Sequence, residues 1–119
     1  MIIVYGIQNC DSVRKARAWL EQHGAVYRFF DFRVMVLHPS KIRSWCDRLG
    51  WERVLNRRSR TWQQMSEQDR RALSADTAVE LMRCEPLLIK RPVVEWEDGT
   101  VSVGFSERVF LQQLQDSRA

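Results

Sequence analysis

The first 32 residues spell strand, helix and strand in an order that leaves few folds open. "MIIVY", Met1 to Tyr5, is a short apolar run closed by Gly6, the pattern of a buried strand. After the loop "GIQNC", Val13, Ala16, Trp19 and Leu20 recur at helical spacing against Arg14, Lys15, Arg17 and Glu21. His23-Gly24 then supplies a stop. "AVYRFFDF", Ala25 to Phe32, is aromatic and β-branched again. Two such strands joined by a helix make a parallel βαβ unit.

From about residue 39 to 85 the pattern changes to short helical pieces, "PSKIRSWCDRLG", "WERVLN", "TWQQM", "SEQDRRAL" and "DTAVELMRC", broken at Gly50, Arg57–Arg60 and Ser74. This reads as a helical insertion. "PLLIKRPVVEWEDGTVSVGF" follows, with a short run, an Arg-Pro step, and two strands joined by a turn at Glu97-Asp98-Gly99. "SERVFLQQLQ" closes the pattern as a helix capped by Ser106, with Val109, Phe110, Leu111 and Leu114 as its apolar face. The fold class expected from this order is α/β: a thioredoxin-like fold with a helical insertion between an N-terminal βαβ unit and a C-terminal ββα unit. With 119 residues it is expected to form a single domain over 1–119.

Several function classes are narrowed by composition. No stretch approaches the ~20 apolar residues of a membrane span, and Met1–Tyr5 is too short for a secretory leader, so a cytoplasmic protein without membrane partners is expected. A net charge of +4, rich in Arg, suits nucleic acid, an anionic small molecule or a solvated surface. The five tryptophans sit mostly beside apolar neighbours and read as packing, not as base-stacking platforms, so no nucleic acid is expected. Three cysteines at wide, unequal spacing form no disulfide framework, and neither His23 nor His38 has a second ligand at metal-site spacing. No metal and no bound cofactor are expected.

Cys10 stands between the first strand and the first helix. A thiol in the first turn of a helix meets unpaired N–H groups and the positive end of the macrodipole, which favour the thiolate, the nucleophilic form. The same residue also reads as a small hydrophobe filling the strand's end. Asp11 opposes ionisation, and the cations available to favour it are Arg14, Lys15, the Arg57-Arg58-Arg60 cluster and Arg91. Cys46 shares a helical face with Ile42, Trp45 and Leu49 and reads as core, whereas Cys84 ends a helical segment close in sequence to Arg91. Val13 occupies the position where a dithiol motif carries its second cysteine.

"YGIQNCDSVRKARAWLEQHG", "WERVLNRRSRTW" and "LLIKRPVV", in this order, resemble the arsenate reductase (ArsC) and Spx superfamily, most closely its YffB-type branch. The resemblance implies a thioredoxin-like core with a helical insertion, a catalytic cysteine at Cys10, and an arginine before a cis-proline at Arg91 and Pro92. It also implies an anion-holding arginine at Arg57 or Arg58. Arsenate reductases carry a Gly- and Thr-containing loop after the cysteine, where this chain has Asp11-Ser12-Val13. They carry a further arginine in the C-terminal hairpin, at or near Gly104 here.

The function expected is therefore that of a monothiol oxidoreductase. Cys10 and Arg91 would be catalytic, and Arg57, Arg58, Arg14, Lys15 and Pro92 would hold a small anionic or disulfide substrate or glutathione. Glutathione is the expected co-substrate, directly or through a glutaredoxin, and a monomer is expected. Two alternatives are arsenate reduction by the same residues and a Spx-like regulator that binds RNA polymerase without turnover.

Overall fold

Gly6 fixes where the first strand meets the first helix in the computed structural model, which describes residues 1–118. A Cβ at Gly6 would lie 2.6 Å from Cγ2 of Val13, so only glycine admits the close approach of the helix's first turn to the strand end. Strand β1 (Ile2–Gly6) pairs in parallel with β2 (Tyr27–Asp31), in a register from Ile2 opposite Tyr27 to Gly6 opposite Asp31. On its other side β1 pairs antiparallel with β3 (Val93–Glu95), and β3 with β4 (Val101–Val103). The sheet order is β2-β1-β3-β4, the mixed four-stranded sheet of the expected α/β fold.

The chain divides into two compact units, one made of Met1–Met35 with Arg91–Ala119, the other of Val36–Lys90. In the sheet unit, α1 (Asp11–Gln22) buries Val13, Ala16, Trp19 and Leu20, the spacing of one helical face. It ends in a Schellman arrangement: Gly24 takes φ 67°, its N–H donates to the Glu21 carbonyl, and the Ala25 N–H reaches back to Leu20. Helix α7 (Glu107–Arg118) begins with the Ser106 Oγ accepting from the Val109 N–H at 3.3 Å. Ile2, Val4, Ala16, Trp19, Leu20, Val94, Trp96, Phe110 and Leu114 form one core between the sheet and these two helices. Phe110 lies edge-on to Trp19, Trp96 and Phe105, with centroids 4.9 to 5.6 Å away. Burying such a ring is worth about 1.5–3 kcal/mol. Leu111, expected on this face, is instead 45% exposed, because it follows Phe110 by one residue and so turns about 100° away.

The helical unit carries α2 (Pro39–Leu49), α3 (Trp51–Val54), α4 (Arg60–Gln64), α5 (Glu67–Arg71) and α6 (Ala75–Cys84). Each of the longer two starts on a side-chain cap. The Ser40 N–H donates to His38 Nδ1 with Pro39 in the first turn, and Ser74 with Thr77 forms a capping box. Packing of α2 on α6 buries Ile42, Trp45 and Cys46 from one and Ala78, Val79 and Met82 from the other. "PLL", in the short run before the Arg-Pro step, is a 3-10 turn at Pro86–Leu88, since Pro86 begins a turn closed by the Ile89 N–H on its carbonyl. Trp51 and Trp62 are half-buried and not core residues, unlike Trp19, Trp45 and Trp96. Among the described residues no helix is long and apolar enough to cross a membrane.

Candidate active site

Cys10 is the N-cap of α1, with extended backbone at φ −141° and ψ 122°. β1 delivers the chain to one end of the sheet, and the loop Ile7–Asn9 turns it so that the thiol faces the helix's first turn. The sulfur makes no capping hydrogen bond of the usual kind, yet the Val13 N–H is directed toward it. Ser12 Oγ lies 3.3 Å from Sγ. That hydroxyl also donates to the Arg91 carbonyl at 3.1 Å, tying α1 to a residue 79 positions along the chain.

The Arg91–Pro92 peptide is cis, as expected, and it leads directly into β3. Arg91 is half-buried and Pro92 fully so. The Arg91 guanidinium acts on Sγ both as a hydrogen-bond donor and as a positive charge. Partial burial pushes the Cys10 thiol up, but Ser12, the Val13 N–H and Arg91 together outweigh it, and the pKa is lowered below that of an ordinary thiol. Because the folded value lies below that of the unfolded chain, ionised Cys10 adds stability above the ordinary thiol pKa. That gain fades as pH falls through the folded value.

The other candidates divide between the two units. Arg14 is paired with Asp11 and not with the thiol; it holds the Asp11 carboxyl below its usual range, with a smaller contribution from Lys15. The anion that the sequence sets against Cys10 is thereby partly neutralised at its own helix start. Lys15 is exposed one residue further on. Arg57 and Arg58 belong to the helical unit, both exposed, in the loop after Leu55. The Arg58 N–H donates to Asn56 Oδ1, while the Arg57 guanidinium stands 5.9 Å from the Trp62 ring, which Arg70 also covers at 5.0 Å.

The remaining cysteines contrast with Cys10. Cys46 is buried, and desolvation, with Asp47 adding to it, pushes its thiol up to about 11, so it is not ionised near neutrality. Cys84 is exposed at the end of α6 beside Arg83 and Glu80, which are themselves ion-paired. Val13 is fully buried against Gly6, so the position of a second thiol is filled by core. Ser12 is the residue that the sequence reading missed. A hydroxyl two residues after the thiol, inside the first helical turn, is its only local signal.

A thiol held at a helix start beside a guanidinium is equipped to attack an electrophilic sulfur or a small oxyanion. A model of the ArsC family matches residues 5–112 of this chain. The chain is 38% identical over 110 residues to an uncharacterized protein of Haemophilus influenzae, covering 92% of this chain and 96% of that one. It is 28% identical to the global transcriptional regulator Spx of Lactiplantibacillus plantarum, over 90% of this chain and 81% of the regulator. The solved structure of the YffB protein superposes with a TM-score of 0.89 at 37% identity, covering 96% of this chain and 99% of that one.

Proposed function

Because the chain belongs to the ArsC family, we propose that it is a cytoplasmic thiol oxidoreductase with one attacking sulfur, Cys10, whose adduct is resolved by glutathione or a glutaredoxin. The observation that carries this reading is the convergence of the Ser12 hydroxyl, the Val13 N–H and the Arg91 guanidinium on that one thiol. The thiolate attacks one sulfur of an oxidised disulfide. A bond to Cys10 forms as the S–S bond breaks, and the displaced thiolate takes a proton from water. An outside thiolate then attacks the adduct, carries off the bound group as a new disulfide and restores ionised Cys10. One substrate sulfur leaves as a thiol and the other leaves in the new disulfide with the outside thiol, so one disulfide is consumed, one is formed and the electrons balance. In this reading Arg91 holds the anionic part of the substrate, a role that suits the planar guanidinium.

Two narrower readings bear on the same thiol. Arsenate reduction would use the same thiol, but Gly104 stands at or near the place where arsenate reductases carry a further arginine. A regulator that binds RNA polymerase without turnover is favoured by the likeness to Spx. Incubation with oxidised glutathione followed by intact mass should add one glutathione to the wild type and to Cys84→Ser, and none to Cys10→Ser. No adduct on the wild type, together with stable retention by RNA polymerase, would replace the enzymatic reading with the regulatory one.

A further inference from the structure

Ser12 has one hydroxyl proton and two neighbours that compete for it. Arg91's carbonyl oxygen has no proton to give, so in the 3.1 Å bond Ser12 must be the donor. The 3.3 Å contact with Cys10 must then run the other way, with the thiol S–H donating to Ser12 Oγ. The arrangement is a relay of one sense, from sulfur to hydroxyl to carbonyl, and it belongs to the neutral thiol. Once the sulfur loses its proton to water, the relay has no first donor, and the lone pairs of Ser12 Oγ would face an anion. A rotation about the Ser12 side chain removes that repulsion and brings the O–H to the sulfur.

We propose that Ser12 is a one-proton switch: it caps the Arg91 carbonyl while Cys10 is a neutral thiol and turns to the sulfur when the thiolate forms. The Ser12 hydroxyl thus steadies the sulfur when the nucleophile is ionised, and holds the residue before the cis-proline when it is not. Ser12 here is a positioning residue, since it acts through Cys10 and Arg91. The inference rests on the reading of Cys10 as the attacking sulfur.

The charged groups around the switch leave the assignment simple. Arg91, entering from the start of β3, is the charge that acts on Cys10. On α1, Asp11 is engaged by Arg14, with Lys15 adding to the same carboxylate. Arg91 donates to the sulfur itself, so the hydroxyl's own proton is the one that changes acceptor.

The Arg91–Pro92 bond is the only Arg-Pro pair in the chain, so carbonyl-labelled arginine combined with nitrogen-labelled proline gives one carbon–nitrogen NMR correlation for it. In the wild type this carbonyl signal should move upfield as pH rises, with the same midpoint as Cys10 alkylation mapped by peptide mass. In Ser12→Ala the signal should already lie upfield and stay there, while Cys10 alkylation at neutral pH falls several-fold and its midpoint moves to higher pH. Ser12→Thr, which keeps the hydroxyl, should restore both behaviours and controls for folding. A carbonyl that titrates unchanged in Ser12→Ala, or an alkylation midpoint that does not move, would overturn the switch. A wild-type Cys10 no faster than Cys84 would instead overturn the enzymatic reading. The carbonyl titration still decides the switch in that case, because it follows Cys10's proton and not turnover.

Discussion

Val13→Cys should convert the glutathione adduct on Cys10 from a lasting product into one that the protein discharges itself. Position 13 is one helical turn from the N-cap, and its N–H is already directed at the sulfur of Cys10. Residues so spaced on a helix lie about 5–6 Å apart between Cβ atoms, and a small rotation of an N-cap side chain brings two sulfurs within bonding reach. A cysteine is smaller than the valine that fills the space against Gly6, so the exchange leaves a small void and no clash. The cost of that void is about 0.5–1.5 kcal/mol, too little to unfold the chain. After treatment with oxidised glutathione, intact mass should show an internal disulfide and no retained glutathione. Persistence of the adduct as in the wild type would mean that the first turn does not present its residues to Cys10 as described.

Arg91→Lys should slow adduct formation at neutral pH by roughly tenfold to a hundredfold, the equivalent of a lost hydrogen bond to an ionised group at about 1.5–3 kcal/mol. Lysine keeps the positive charge but not the planar fork, so the thiolate retains the attraction and loses the directed donor. Arg91→Gln should be slower still, since it removes both. The backbone carbonyl that accepts from Ser12 is unaltered in either variant, and the urea midpoint should stay close to the wild type's. Unfolding of Arg91→Lys, or wild-type reactivity, would remove Arg91 from the site.

How far the sequence speaks for the structure depends on whether a feature is local. The parallel βαβ start, the Schellman end of α1 at Gly24 and the Ser106 cap were readable because each depends on residues within a few positions. The cis Arg91–Pro92 bond was expected from the element order together with the resemblance. Ser12 was not readable, because its role exists only once Arg91 arrives from 79 residues away. Arg14 was readable only as one of several cations near Cys10. Its spacing from Asp11 permits an ion pair across one helical turn, which competes with Cys10 for the same guanidinium, and the nearer full charge wins. The 3-10 turn at Pro86 and the exposure of Leu111 turn on a single residue's angular position, finer than apolar spacing resolves.

The central claim is that Cys10 works alone and waits for an outside thiol, and discharge of its isolated adduct tests it most directly. The glutathione adduct, freed of excess reagent and held without thiol, should keep its mass unchanged. On addition of reduced glutathione it should return to the free protein and release one oxidised glutathione per chain. Spontaneous loss of the adduct without added thiol, accompanied by an internal Cys10–Cys84 disulfide, would contradict the account.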